Sequence, residues 1–194
     1  MGGDAELVER LRGGDQEAFE TLTRRYHTTM IGLAAAYVPT RAAAEEVVQD
    51  SWMGMLRGLD RFGGRVSLKT WLFGILVDRA RIASERERRS IPVAVAALGP
   101  ARFVADGSWV RPPVPWPGDI DERLRAPAAQ QGIRAAIEAL PPGPRSAVLL
   151  RDVEGMSSRE VCEVLGISET SQRVLLHRGR SRIRQALEQQ VGRV

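Results

Sequence analysis

At 194 residues the chain suffices for one medium domain or two small ones, and 43% hydrophobic residues argue against disorder throughout. No run of about 18 apolar residues occurs. The polar start, Met1 to Arg12 with Asp4, Glu6 and Glu9, lacks the basic-then-apolar order of a signal peptide, so a cytoplasmic protein without a membrane span is expected. The single cysteine, Cys162, excludes an internal disulfide, and with His27 and His177 as the only histidines neither a structural zinc site nor any cofactor is expected.

The net charge of +4 hides an uneven distribution. Lys69 is the one lysine among 28 cations, so 27 are arginine, which fits either a GC-rich genome or bidentate recognition of phosphate and guanine. Residues 65–89 hold Arg65, Lys69, Arg79, Arg81, Arg86, Arg88 and Arg89 against Asp78, Glu85 and Glu87. Residues 173–184 hold Arg173, Arg178, Arg180, Arg182 and Arg184 with no acid. Two basic helices in a weakly charged chain form an electrostatic footprint for nucleic acid.

In chain order, Asp15 caps a helix carrying Phe19, Leu22, Tyr26 and Met30. Pro39 interrupts, and Thr40 caps a long helix with Val47, Val48, Trp52, Met55, Leu56 and Leu59 on one side and Glu45, Glu46, Gln49 and Asp50 on the other. Gly63-Gly64 ends that unit. Ser67 caps a third helix whose Leu68, Trp71, Leu72, Ile75, Leu76 and Arg79 follow the amphipathic spacing. Seven of the eleven prolines then lie between Pro92 and Pro127, so residues 90–127 read as a linker between two helical domains, 1–89 and 128–194.

The second domain begins with Ile133, Ala136, Ile137 and Leu140 on one helix face, stopped by Pro141-Pro142. Pro144 is suited to the first turn of the next helix, which runs through Val148, Leu149 and Leu150 to Gly155. Ser157 with Glu160 forms a capping box for a short helix, Ser158–Leu165. Gly166 fits a left-handed turn, and Ser168 caps a last helix to about Gln189. A short helix, a glycine turn and a basic helix make a helix-turn-helix. A plain helical hairpin has the same pattern, but a solvated helix normally mixes charge signs.

These residues bring a family into view. LPPGPRSAVLLRDVEGMSSREVCEVLGISETSQRVLLHRGRSRIRQAL, within Ile133–Leu187, resembles region 4 of extracytoplasmic-function RNA polymerase sigma factors. Ala44–Leu56, AEEVVQDSWMGML, resembles their region 2.2, and Ser67–Arg89, SLKTWLFGILVDRARIASERERR, resembles regions 2.3 and 2.4. The resemblance implies an all-α fold of two small helical domains, a region 2 bundle and a region 4 helix-turn-helix, joined by the proline-rich linker. It implies a promoter-recognition subunit that is not an enzyme. Its partners would be core RNA polymerase (through the clamp helices of the largest subunit and the flap), promoter DNA and an anti-sigma factor.

Site residues carry over one by one. Glu46, Gln49 and Asp50 would bind core polymerase, although a merely solvated face looks the same in sequence. Arg65, Lys69, Arg79 and Arg81 would serve the minus-ten element, with the loop Gly63 to Ser67 taking a flipped base. Trp71 suits either base stacking or core packing. Thr170, Ser171, Gln172 and Arg173 would face the minus-thirty-five element, with Arg178 on phosphate. Gln172 stands where the family has an apolar residue, Leu175 where it has a basic one and Asp78 where asparagine is usual. Trp109 and Trp116 suit a linker that threads toward the polymerase cleft or one that packs on the chain's own domains. The rival function is a stand-alone helix-turn-helix regulator, which leaves the second basic helix at 65–89 without a role.

Overall fold

The computed structural model describes the backbone of residues 2–90 and 127–191, with side chains from 4 to 87 and from 130 to 188. The interior of the proline-rich stretch, including Trp109 and Trp116, lies outside the described residues. The described residues are helical, without a strand.

The first helix, α1 (Gly2–Arg12), was not expected from its polar sequence; Val8 and Leu11 bury its inner face. Next comes α2 (Gln16–Ala34), started by Asp15, whose carboxylate accepts the Ala18 N–H at 3.0 Å. Then α3 (Arg41–Gly58) follows, with the Thr40 hydroxyl accepting from Ala43 N at 3.1 Å. A 3-10 turn, Leu59–Arg61, and a short loop lead into α4 (Leu68–Ser90), where Ser67 Oγ accepts the Thr70 N–H. The core of these helices contains Met30, Leu33, Met55, Leu72, Phe73 and Leu76, all fully buried. Two edge-to-face ring pairs, Phe19–Trp52 and Tyr26–Phe73, tie α2 to α3 and α4.

The C-terminal helices are α5 (Pro127–Glu138), α6 (Pro142–Val148), α7 (Ser158–Leu165) and α8 (Glu169–Val191). Pro142 opens α6, which suits a residue that has no N–H to leave unpaired, and Pro144 lies in the same first turn. The expected continuation through Leu149 and Leu150 widens into a π-turn, Leu149–Val153, closed by Glu154 N to Leu149 O at 2.9 Å. The capping box forms as read, and Gly166 takes a φ of 61° at the end of α7. At Gly179, α8 crosses so close to α6 that an added Cβ would sit 2.6 Å from Val148.

One apolar cluster runs through both sets of helices: Leu149, Leu150, Met156, Val161, Val164 and Leu165 join the core of the N-terminal bundle. The polar seam around it is specific. Lys69 Nζ donates to the Glu154 carbonyl at 2.7 Å, and Arg81 donates to the Leu165 carbonyl. Glu160 accepts from the Thr70 hydroxyl at 2.9 Å and from the Ser67 hydroxyl at 3.3 Å.

Candidate nucleic-acid interface

On α3, Glu46, Gln49 and Asp50 are all exposed and lie within one turn of each other. Sequence reading missed what completes this face: Met53 is 44% exposed and Leu56 38%. Sequence spacing groups Leu56 with the apolar side of α3, whose other members, Val47, Val48, Trp52, Met55 and Leu59, are buried. It sits at the edge of that apolar side, where helical periodicity alone does not decide burial. The result is an exposed stripe along α3, with acid and amide groups toward its N-terminal end and two apolar side chains toward its C-terminal end.

The four cations assigned to the minus-ten element have different surroundings. Arg65 is exposed on the loop before α4. Arg79 lies across α3, 3.8 Å from Asp50, with its guanidinium over Gly54, where an added Cβ would collide with it. Lys69 and Arg81 are the two that donate to carbonyls of the C-terminal helices. The Leu165 carbonyl lies in the last turn of α7, where carbonyls lack helical partners and the helix dipole favours a cation. Arg81 is exposed and Lys69 half-buried, so each gives one donor to the seam without being enclosed by it. Trp71 is half-buried and packs on Phe62 with ring centroids 4.8 Å apart, above Gly58.

Glu160 is the electrostatic centre of the seam. The Ser157 N–H, followed by the hydroxyls of Ser157, Thr70 and Ser67, stabilises its carboxylate and outweighs partial burial, lowering the pKa to about 2. The same carboxylate caps α7 and holds the start of α4, so a local cap doubles as a contact between distant parts of the chain.

On α8, Thr170, Ser171 and Arg173 are exposed near the N-terminus, and Arg178 and Arg182 are exposed further along. Gln172 is not available with them: it is 1% exposed, and its side-chain N–H group has no partner among the described residues. It points into the helix-turn-helix interior, which is where the resemblance expected an apolar side chain. Arg180 forms a fork with Asp152, at 3.0 and 2.6 Å, so it ties α8 to the π-turn. Leu175 packs over Gly143 and is half-buried, which accounts for an apolar residue there. Away from the recognition face, Ile137, Val148, Ile183 and Leu187 help line a groove of about 560 Å³ between α5 and α8, near the exposed Val153.

Comparison with known proteins covers both halves. The family model described as Sigma-70 region 2 matches residues 22–90, and that described as Sigma-70, region 4 matches residues 130–183. The ECF RNA polymerase sigma-E factor of Salmonella typhimurium is 32% identical over 181 residues, covering 93% of this chain and 92% of that protein. The RNA polymerase sigma-H factor of Pseudomonas aeruginosa is 27% identical over 188 residues, covering 95% and 94%. Among solved structures, the sigma factor RpoE in complex with the anti-sigma factor NepR from Bartonella quintana shares the fold. Its TM-score is 0.59 and its identity 19%, with 88% of this chain and 96% of that one covered.

Proposed function

The chain belongs to the sigma-70 family as an extracytoplasmic-function sigma factor, and on that footing we propose how its surfaces divide the work of directing transcription initiation. The protein is an alternative sigma factor. Residues 1–89 bind core polymerase and read the downstream promoter element, and residues 128–194 read the upstream element. The α3 face of Glu46, Gln49 and Asp50, continued by Met53 and Leu56, meets the clamp helices of the largest subunit. Exposed apolar side chains beside acid and amide groups suit a protein interface, which combines apolar contact with polar pairing.

The exposed loop with Arg65, backed by Lys69, Arg79 and Arg81, takes the downstream element as single strands. Thr170, Ser171 and Arg173 read base edges of the upstream element in the major groove, with Arg178 and Arg182 on phosphate. Gln172 drops out of that set because it is buried. An anti-sigma factor is the third partner beside core polymerase and promoter DNA. The protein acts by binding, not as an enzyme, in the cytoplasm where the polymerase works. The observation that carries this reading is that both halves match sigma regions in order while each presents exposed cations.

Run-off transcription with purified core polymerase across genomic promoters tests the function. Permanganate footprinting then tests the division of labour: core plus this protein should leave unpaired thymines reactive around the downstream element, and Arg65→Ala should lose that reactivity. Tight duplex binding by the chain alone, with no melting when core is added, is the result a stand-alone helix-turn-helix regulator would give.

A further inference from the structure

The loop that enters α4 is held at both ends by a single helix, and that helix is α1. Its tip is open: Gly63, Gly64 and Arg65 are exposed, and a Cβ built at either glycine meets nothing within 4 Å. Gly64 has a φ of 66°, which explains one glycine through the backbone; the space over both admits an approaching group from outside. The ends are fastened. Arg12 Nε and Nη2 both donate to the Leu59 carbonyl, at 3.2 and 2.9 Å, and Nη2 also donates to the Phe62 carbonyl at 3.0 Å. The remaining guanidinium nitrogen, Nη1, is held by Glu9 at 2.6 Å, so the fork is oriented from within its own helix. At the other end Asp4 Oδ2 accepts the Leu68 N–H at 2.9 Å, one of the donors that the first turn of α4 leaves unpaired. Val8 and Leu11 anchor α1 in the core between these two contacts.

We infer that Arg12 and Asp4 are positioning residues for downstream promoter recognition: α1 holds the loop of residues 62–67 in the shape that receives an unstacked base. This rests on the proposed function of that loop and adds the part of the chain that prepares it. Fixing both ends before the nucleic acid arrives removes loop entropy that binding would otherwise have to overcome, and fixes where Arg65 stands relative to the glycine tip. Neither Arg12 nor Asp4 touches the base; both act through the carbonyls and the N–H of the loop ends.

The test uses full-length protein with core polymerase. The quantity measured is the ratio of open-complex formation rates on two promoters that differ at one position of the downstream element. Arg12→Ala should lower this ratio by on the order of tenfold, the size of one lost base contact. Binding to core and discrimination at the upstream element should stay unchanged. Arg12→Lys, which keeps the charge but not the fork, should fall between. Asp4→Ala should act in the same direction and Asp4→Asn should restore the ratio, because its amide oxygen still accepts from Leu68. If Arg12→Ala does not fold, the Asp4 pair carries the same expectation. A purely structural role would slow both promoters equally and leave the ratio untouched, which would overturn the inference. Arg65→Ala separates the two levels. If it leaves the ratio unchanged, the reading of the loop itself fails. If it collapses the ratio while the Arg12 and Asp4 variants do not, only the bracing by α1 fails.

Discussion

Replacing Gln172 by leucine should stabilise this protein, and the reason lies in one unpartnered amide. The Gln172 side chain is 1% exposed and its N–H donors have no partner among the described residues. A buried donor left unpaired costs about 1–3 kcal/mol relative to its hydrated state. Leucine has nearly the same volume, no polar atom to strand and an equal or better helix propensity. The gain should therefore be about 1–3 kcal/mol, and for a chain of this size about 2–4 °C in Tm for each of those kcal/mol. Urea and thermal unfolding of the full-length chain measure it. The same variant should keep discrimination at the upstream element, whereas Ser171→Ala and Arg173→Ala should each lose about 1–3 kcal/mol of it with little change in stability. Two results would refute the reasoning: a less stable Gln172→Leu, or one that is stable yet no longer distinguishes the upstream bases.

Reversing charge with Glu46→Arg and Asp50→Arg should weaken core binding by on the order of tenfold while circular dichroism stays helical; undiminished affinity would remove α3 from the interface. Thr70→Val keeps shape but deletes a hydroxyl bonded to Glu160, so it should loosen the seam by about 1.5–3 kcal/mol, seen as a larger radius of gyration in small-angle scattering. Glu160 has its carboxyl lowered to about 2, so its stabilisation is complete above about pH 4.5 and is lost as pH falls toward 2. Glu160→Gln should accordingly lose less stability than the parent between about pH 5 and 3 in urea titrations. Gly179→Ala puts a methyl 2.6 Å from Val148 and should cost about 1–3 kcal/mol by the same unfolding assay.

Most helices were legible because their caps and periodicity agree: Asp15, Thr40, Ser157 and Gly166 stand where the chain turns. α1 was not legible, since only Val8 and Leu11 are buried, Leu7 packs beside them half-buried, and the rest of its sequence reads as a polar terminus. Leu56 was misplaced because it lies at the edge of the apolar stripe. Gln172 was misplaced for the opposite reason: its polarity and its place in α8 suggested the DNA face, while packing turned it inward. Lys69 and Arg81 show a further limit. Their partners are backbone carbonyls of Glu154 and Leu165, and a main-chain acceptor leaves no mark in side-chain sequence.

Those two bonds also decide how the closed arrangement responds to its surroundings. Because both halves belong to one chain, the carbonyls that hold Lys69 and Arg81 are present at a fixed effective concentration, however dilute the protein. Their grip is also of a different kind from that of nucleic acid. Carbonyl dipoles carry no condensed counterions, whereas each phosphate contact releases them, so added salt weakens the DNA-bound state far more than the seam. Ionic strength thus becomes a one-sided control: a rise in salt frees these two side chains from phosphate while their carbonyl bonds persist, and the salt slope of promoter binding measures phosphates engaged, with little contribution from the seam.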